Sequence, residues 1–235
     1  MSLLEHLEEL RKRLAWSILS LVVAFGPCWY FHQEIFSFLE RPIKQLRPDE
    51  KLVFTGLTDP FILYFKVATL AALFLAAPFI LYQLWRFVAP GLYQRERYFL
   101  IPFLLFGSLF FLGGGAFAYY VAFPRAADFL LSMGERFELM LTIERYYSFL
   151  LTMILGMGLM FELPIVILVL AGLGVVTPRF LLRHFRWAVL LIFIAAAIIT
   201  PTPDVVNMCV FAVPALGLYV LGIAAAYLVA PKREG

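Results

Sequence analysis

The sequence predicts an all-α integral membrane protein: one domain over residues 1–235, a bundle of six transmembrane helices with both termini cytoplasmic. Three observations carry this prediction. Hydrophobic residues make up 63% of the 235 positions and charged residues 15%, with a mean hydropathy of +0.90, which is too apolar for a soluble globule. Uncharged stretches recur at the length a helix needs to cross about 30 Å of hydrocarbon. Finally, the basic residues of the termini and short loops segregate to one side, where they resist translocation.

In chain order, residues 2–13 place Leu3, Leu7, Leu10 and Leu14 at helical spacing, with Glu5, Glu8, Glu9 and Lys12 away from them. This predicts a short amphipathic helix lying along the cytoplasmic interface. The spans follow at about 14–32, 66–89, 97–123, 146–174, 180–200 and 205–229. The fifth is short, with an apolar core of only Trp187–Ile199, and is expected to thin the bilayer locally. Arg11–Arg13, Arg86, Arg95, Arg97, Arg179, Arg183, Arg186, Lys232 and Arg233 mark the cytoplasmic face, whereas basic residues of the opposite loops alternate with acids. The net charge of +3 is therefore a topology signal and does not point to nucleic acid.

The outer loops are expected to cap the bundle. In the first, about residues 32–66, Pro42, Pro48 and Pro60 argue against a continuous helix, and Phe61–Phe65 suggests a segment lying on the membrane. The second, about 124–145, alternates charges with Phe129, Leu130, Phe137 and Leu139. Trp16, Trp29, Trp85, Trp187 and Tyr93, Tyr98, Tyr119, Tyr120, Tyr146, Tyr147 fall near span ends and read as interfacial anchors. Gly113–Gly115, Gly156 and Gly158 suit close helix packing. Cys28 and Cys209 lie in separate spans and read as small packing residues.

No catalytic or metal-binding motif emerges. His6, His32 and His184 are scattered, without nucleophile elbow, paired intramembrane aspartates or phosphate loop, so neither an enzyme nor a cofactor is expected. Glu162 is the exception within an otherwise uncharged run. An acid at mid-bilayer costs roughly 2.5–3.5 kcal/mol, so it should face an interior, a cavity or a partner. Pro164 withholds a backbone donor and should bend the helix beside it. On residue chemistry alone, Glu162 also fits the titrating site of a proton-coupled small-solute transporter. Glu96 fits a first helical turn, and Glu8 and Glu9 precede Lys12 and Arg13 by four residues, the favourable order for intrahelical pairs. Thr200-Pro201-Thr202-Pro203-Asp204 reads as a tight hairpin, and Asn207 as a polar group seeking a neighbouring helix.

Five stretches in register resemble the TatC family, the multispanning receptor of the twin-arginine translocase. They are His6–Arg13, Phe87–Tyr93 with Glu96-Arg97, Ala122-Phe123-Pro124 with Phe129-Leu130, Phe161–Pro164, and Thr200–Asp204. The resemblance implies a protein-export component of the plasma (inner) membrane that binds twin-arginine signal peptides of folded precursors. It implies small single-span partners of the TatA/TatB type, an oligomeric complex in the lipid bilayer, and the proton gradient as energy source. It assigns the arginines to Glu9 and Glu96, with Glu8 as a substitute and Leu10, Arg11, Phe87, Pro90, Leu92 and Arg97 shaping the site. It sets Glu162 in a concave pocket of the bundle, and Thr200, Thr202, Asp204 and Asn207 against partner subunits.

Overall fold

The computed structural model describes residues 3–46, 52–88, 100–134, 136, 140–200 and 204–229. These residues are almost entirely helical, in the order α1 (Leu3–Tyr30), α2 (His32–Leu46), α3 (Asp59–Val88), α4 (Leu100–Phe117), a π-helical turn (Ala118–Ala122), α5 (Phe123–Met133), α6 (Ile143–Phe161), α7 (Leu163–Gly172), α8 (Pro178–Arg183), α9 (Phe185–Ile199) and α10 (Val205–Val229). Among the described residues, five helical stretches are long and apolar enough to cross a membrane: Glu5–Tyr30, Asp59–Phe87, Phe103–Met133, Ile143–Gly172 and Val205–Tyr227. The shorter apolar helix Phe185–Ile199 adds to them. The core centres on α6, whose Tyr147, Leu150, Met153 and Met157 are fully enclosed.

Several local expectations are corrected. Residues 3–13 do not form a separate interfacial helix but continue into the first span, because no glycine or proline precedes Gly26 and Pro27. The first outer loop contains a full helix, α2, despite Pro42. Proline leaves the carbonyl four residues earlier without its donor, and here the Tyr119 hydroxyl donates to Phe38 O at 2.5 Å. Phe61–Phe65 forms the opening turns of α3, since Pro60 stands in the first turn, where its missing N–H costs nothing. Residues 123–133 of the second outer loop are helical, joined to α4 through the π-turn. The connections that precede α3 and α6 also share a parallel backbone bridge, Val53 N–H to Leu141 O (3.0 Å) and Ile143 N–H to Val53 O (2.9 Å). The stretch expected as the fifth span is two helices that meet at His184, with α8 capped by Thr177 Oγ1 accepting from Phe180 N–H.

The interfacial reading fails for four aromatics. Trp85, Tyr119, Tyr146 and Tyr147 are buried. Tyr146 donates to Leu39 O (3.0 Å) and Tyr147 to Phe36 O (3.3 Å), so with Tyr119 three hydroxyls from the π-turn and α6 hold α2 across the end of the bundle. Trp16 and Trp187 are exposed, as anchors would be. Gly114 and Gly156 serve close packing as expected: added Cβ atoms would stand 2.5 Å from Met157 O and 2.3 Å from Ile199 Cγ2. Cys28 and Cys209 are free.

Candidate functional site

The first turns of α1 lie beside the last turns of α3. The two helices pack through small residues, Ala24 and Cys28 against Ala68, Ala72 and Ala76, which bring the backbones close. This alignment sets His6 on Phe87, with ring centroids 4.4 Å apart. One turn on, Arg13 Nη2 donates to Glu9 Oε1 at 3.0 Å and Nη1 to Gln83 Oε1 at 3.4 Å. Of the two intrahelical pairs suggested by spacing, Glu9–Arg13 forms, and Glu8–Lys12 is not among the ion pairs of the described residues.

The two neighbouring acids therefore differ. Glu9 turns toward α3 and Arg13, while Glu8, Leu10 and Arg11 are exposed. Glu9 Oε2 and Arg13 Nε are shielded from solvent without a hydrogen-bond partner among the described residues. The carboxylate thus retains acceptor capacity beside its internal arginine. Pro90, Leu92, Glu96 and Arg97 lie outside the described residues. Sequence reasoning overlooked Gln83, which is 4% exposed in α3. Its signal was the same as that of Glu162: a lone polar group inside an apolar span.

Glu162 is the joint between α6 and α7. Its N–H turns back to Leu159 O (3.2 Å) and its carbonyl accepts from Val166 N–H (2.9 Å), so the helix breaks beside Pro164 as expected. The carboxyl faces a cavity of about 470 Å³ walled by Leu81, Leu84 and Trp85 of α3, Phe103 and Phe111 of α4, and Ile165 and Val169 of α7. Gly107 borders the carboxyl: a Cβ there would stand 3.6 Å from Oε2. Glu162 Oε1 has no hydrogen-bond partner among the described residues. A buried acceptor in such a wall is costly unless something else satisfies it.

At the third location, Thr200 is 5% exposed and donates to Ala196 O at 2.6 Å. Asp204 precedes α10 and accepts from Asn207 N–H (2.7 Å) and Nδ2 (2.8 Å). Asn207 is wholly buried. Thr200 is thus bonded at the end of α9, and Asp204 and Asn207 at the start of α10. Exposed Leu191, Ile198, Val205 and Val213 present apolar surface on these two helices, and Thr202 lies outside the described residues.

The family model for the Sec-independent protein translocase protein, TatC, matches residues 5–214. The chain belongs to the TatC family. It is 48% identical over 238 residues to the Koribacter versatilis (strain Ellin345) translocase protein TatC, covering 100% of this chain and 88% of that one. Against the Aquifex aeolicus (strain VF5) TatC it is 37% identical, covering 100% and 98%. Two crystal structures of a twin-arginine translocase receptor TatC, one of them in the detergent DDM, superpose with TM-scores of 0.84 and 0.86. Each is 36% identical and covers 95% of this chain and 99% of its own. The helical architecture and the Sec-independent translocase function therefore rest on whole-length similarity. The chain is a multi-pass membrane component of that translocase.

Proposed function

We propose that this TatC-family chain is the signal-peptide receptor and scaffold of its translocase, and that it reads paired arginines where the start of α1 meets the end of α3. The observation that carries the proposal is Glu9, whose Oε1 accepts from an Arg13 that is itself tied to Gln83, while its Oε2 has no hydrogen-bond partner among the described residues. A guanidinium arriving there finds a held carboxylate rather than a freely rotating one, so little side-chain entropy is lost on binding. Glu96, in the connection that follows α3, supplies the second carboxylate. Phe87 forms an apolar wall with His6, and Leu10, Arg11, Pro90, Leu92 and Arg97 complete the surroundings. Lysine cannot reproduce the planar two-pronged contact, which is the physical basis for requiring arginine.

In this reading both termini are cytoplasmic, α9 completes a sixth crossing, and the membrane is the plasma (inner) membrane. With 15 residues, α9 spans about 22 Å, so the bilayer must thin beside it. Small single-span partners dock against α9 and α10, with Thr200, Thr202, Asp204 and Asn207 at that contact. The Glu162 cavity receives a polar side chain from a partner or peptide segment, and the proton gradient drives transport. The test is binding of a twin-arginine signal peptide to the purified chain in detergent, beside a twin-lysine peptide and the Glu9→Gln and Glu96→Ala variants. Binding weakened about tenfold or more in all three controls supports the site. Equal binding of the two peptides, or indifference to both substitutions, removes it.

A further inference from the structure

A second polar feature lies at the far end of α3 from Glu9. Lys66 is exposed on the flank of α3, Glu144 is exposed at the start of α6, and Ser148 follows one turn further along α6. None of the three has an ion-pair or hydrogen-bond partner among the described residues. Lys66 and Ser148 border both a small recess that also holds Asp59 and Glu144, and an adjoining groove of about 360 Å³ between α3 and α6. The rest of the groove is mostly apolar, lined by Leu70, Leu73, Leu151 and Leu155, with Thr69 and Thr152 as its other hydroxyls.

Depth decides what such a cation meets. α3 has 30 residues, so it is about 45 Å long and exceeds a hydrocarbon layer of about 30 Å by about 7 Å at each end. Lys66 follows Asp59 by seven residues, about 10 Å along the helix, and thus starts only about 3 Å inside the hydrocarbon boundary. Its flexible stem lets the ammonium rise to the phosphate level. Glu144, in the first turn of α6, stands nearer the water.

We propose that the α3–α6 groove is a binding site for an aminophospholipid of the leaflet on the Asp59 side. Lys66 and the Ser148 hydroxyl hold the phosphate, Glu144 holds the primary ammonium, and an acyl chain lies in the groove toward Leu73. The charge order, acid outermost and lysine beneath it, matches the order of amine and phosphate in phosphatidylethanolamine. An anionic glycerol headgroup would instead bring hydroxyls to Glu144, and a choline headgroup offers it no N–H donor.

The test is native mass spectrometry of the full chain titrated with phosphatidylethanolamine, phosphatidylcholine or phosphatidylglycerol. Phosphatidylethanolamine is expected to bind most tightly. Lys66→Ala should weaken it about tenfold and Lys66→Arg should retain it, as for loss or retention of a charge-assisted contact. Glu144→Gln should lower phosphatidylethanolamine to the level of phosphatidylcholine. Equal binding of the three lipids, or no effect of Lys66→Ala, overturns the proposal. Independently, a photoreactive side chain in place of Thr152 should crosslink to lipid in membranes, and crosslinking to a polypeptide in its stead also overturns it.

Discussion

Gly113 and Gly114 are adjacent in α4, yet substituting them should give opposite results. A Cβ on Gly114 would stand 2.5 Å from Met157 O and 2.9 Å from both Met157 C and Gly158 Cα, all backbone atoms of α6, whereas a Cβ on Gly113 meets nothing within 4 Å. Ordinary contact begins at 3.4 Å, so Gly114→Ala forces α4 and α6 apart by about 0.9 Å, and no rotamer change can relieve it. Overpacking of this kind costs about 1–3 kcal/mol. On the scaling for chains of this size, that lowers Tm by about 2–12 °C. Gly113→Ala replaces the poorest non-proline helix former by the best at an open position and should leave Tm unchanged or raise it by up to about 4 °C. Thermal unfolding in detergent, followed by helical circular dichroism, measures both. If the two variants melt together, the close approach of α4 and α6 at Gly114 is not the constraint described here.

Tyr119→Phe removes the donor that serves Phe38 O in place of the N–H missing at Pro42, and should cost about 1 kcal/mol. In a Pro42→Ala background, where a backbone N–H returns, the cost should shrink, so a double-mutant cycle by thermal melting should show non-additivity and simple additivity would refute the link. Glu9→Gln should weaken twin-arginine peptide binding about tenfold in a fluorescence titration, with Glu8→Gln unchanged, because only Glu9 is fixed by Arg13. Glu162→Leu should raise Tm while abolishing export, since it removes a partnerless oxygen from an apolar wall. The gain is about 1–3 kcal/mol, and a lower Tm would show that the carboxyl is satisfied within the bundle.

Much of the architecture was legible in the sequence because a bilayer imposes a length and a composition that hydropathy reports directly. The break at Glu162 was legible for a local reason, as Pro164 acts on its own helix. The helix α2 was not, because what rescues Pro42 is a hydroxyl 81 residues from the Phe38 carbonyl it serves, and no local rule carries a tertiary donor. The same limit explains the tyrosines. Near a span end, Tyr146 and Tyr147 have the sequence signature of interfacial anchors, and only packing against α2 turns them inward. Sequence also could not divide Glu8 from Glu9, since both have a cation four residues on. The helix phase set by Ala24 and Cys28 on α3 orients Glu9 toward an Arg13 that reaches Gln83, and leaves Glu8 in solvent.

The two ends of the bundle are held by different means, and this bears on how it works. At the α2 end, three tyrosine hydroxyls meet α2 carbonyls and two backbone bonds join the connections that precede α3 and α6. These fasten the cap to the enclosed residues of α6. At the opposite end, the described connections between α1 and α3 are a ring stack and one arginine shared between Glu9 and Gln83. Polar contacts of that kind exchange with an incoming ligand at little net cost, because a guanidinium from a peptide can take the acceptor that Arg13 leaves open. The receptor proposed above needs a rigid frame and an exchangeable mouth to take a charged peptide motif. The distribution of buried tyrosines and half-buried charges along this bundle supplies both, and Glu162 lies between them, at the joint of α6 and α7.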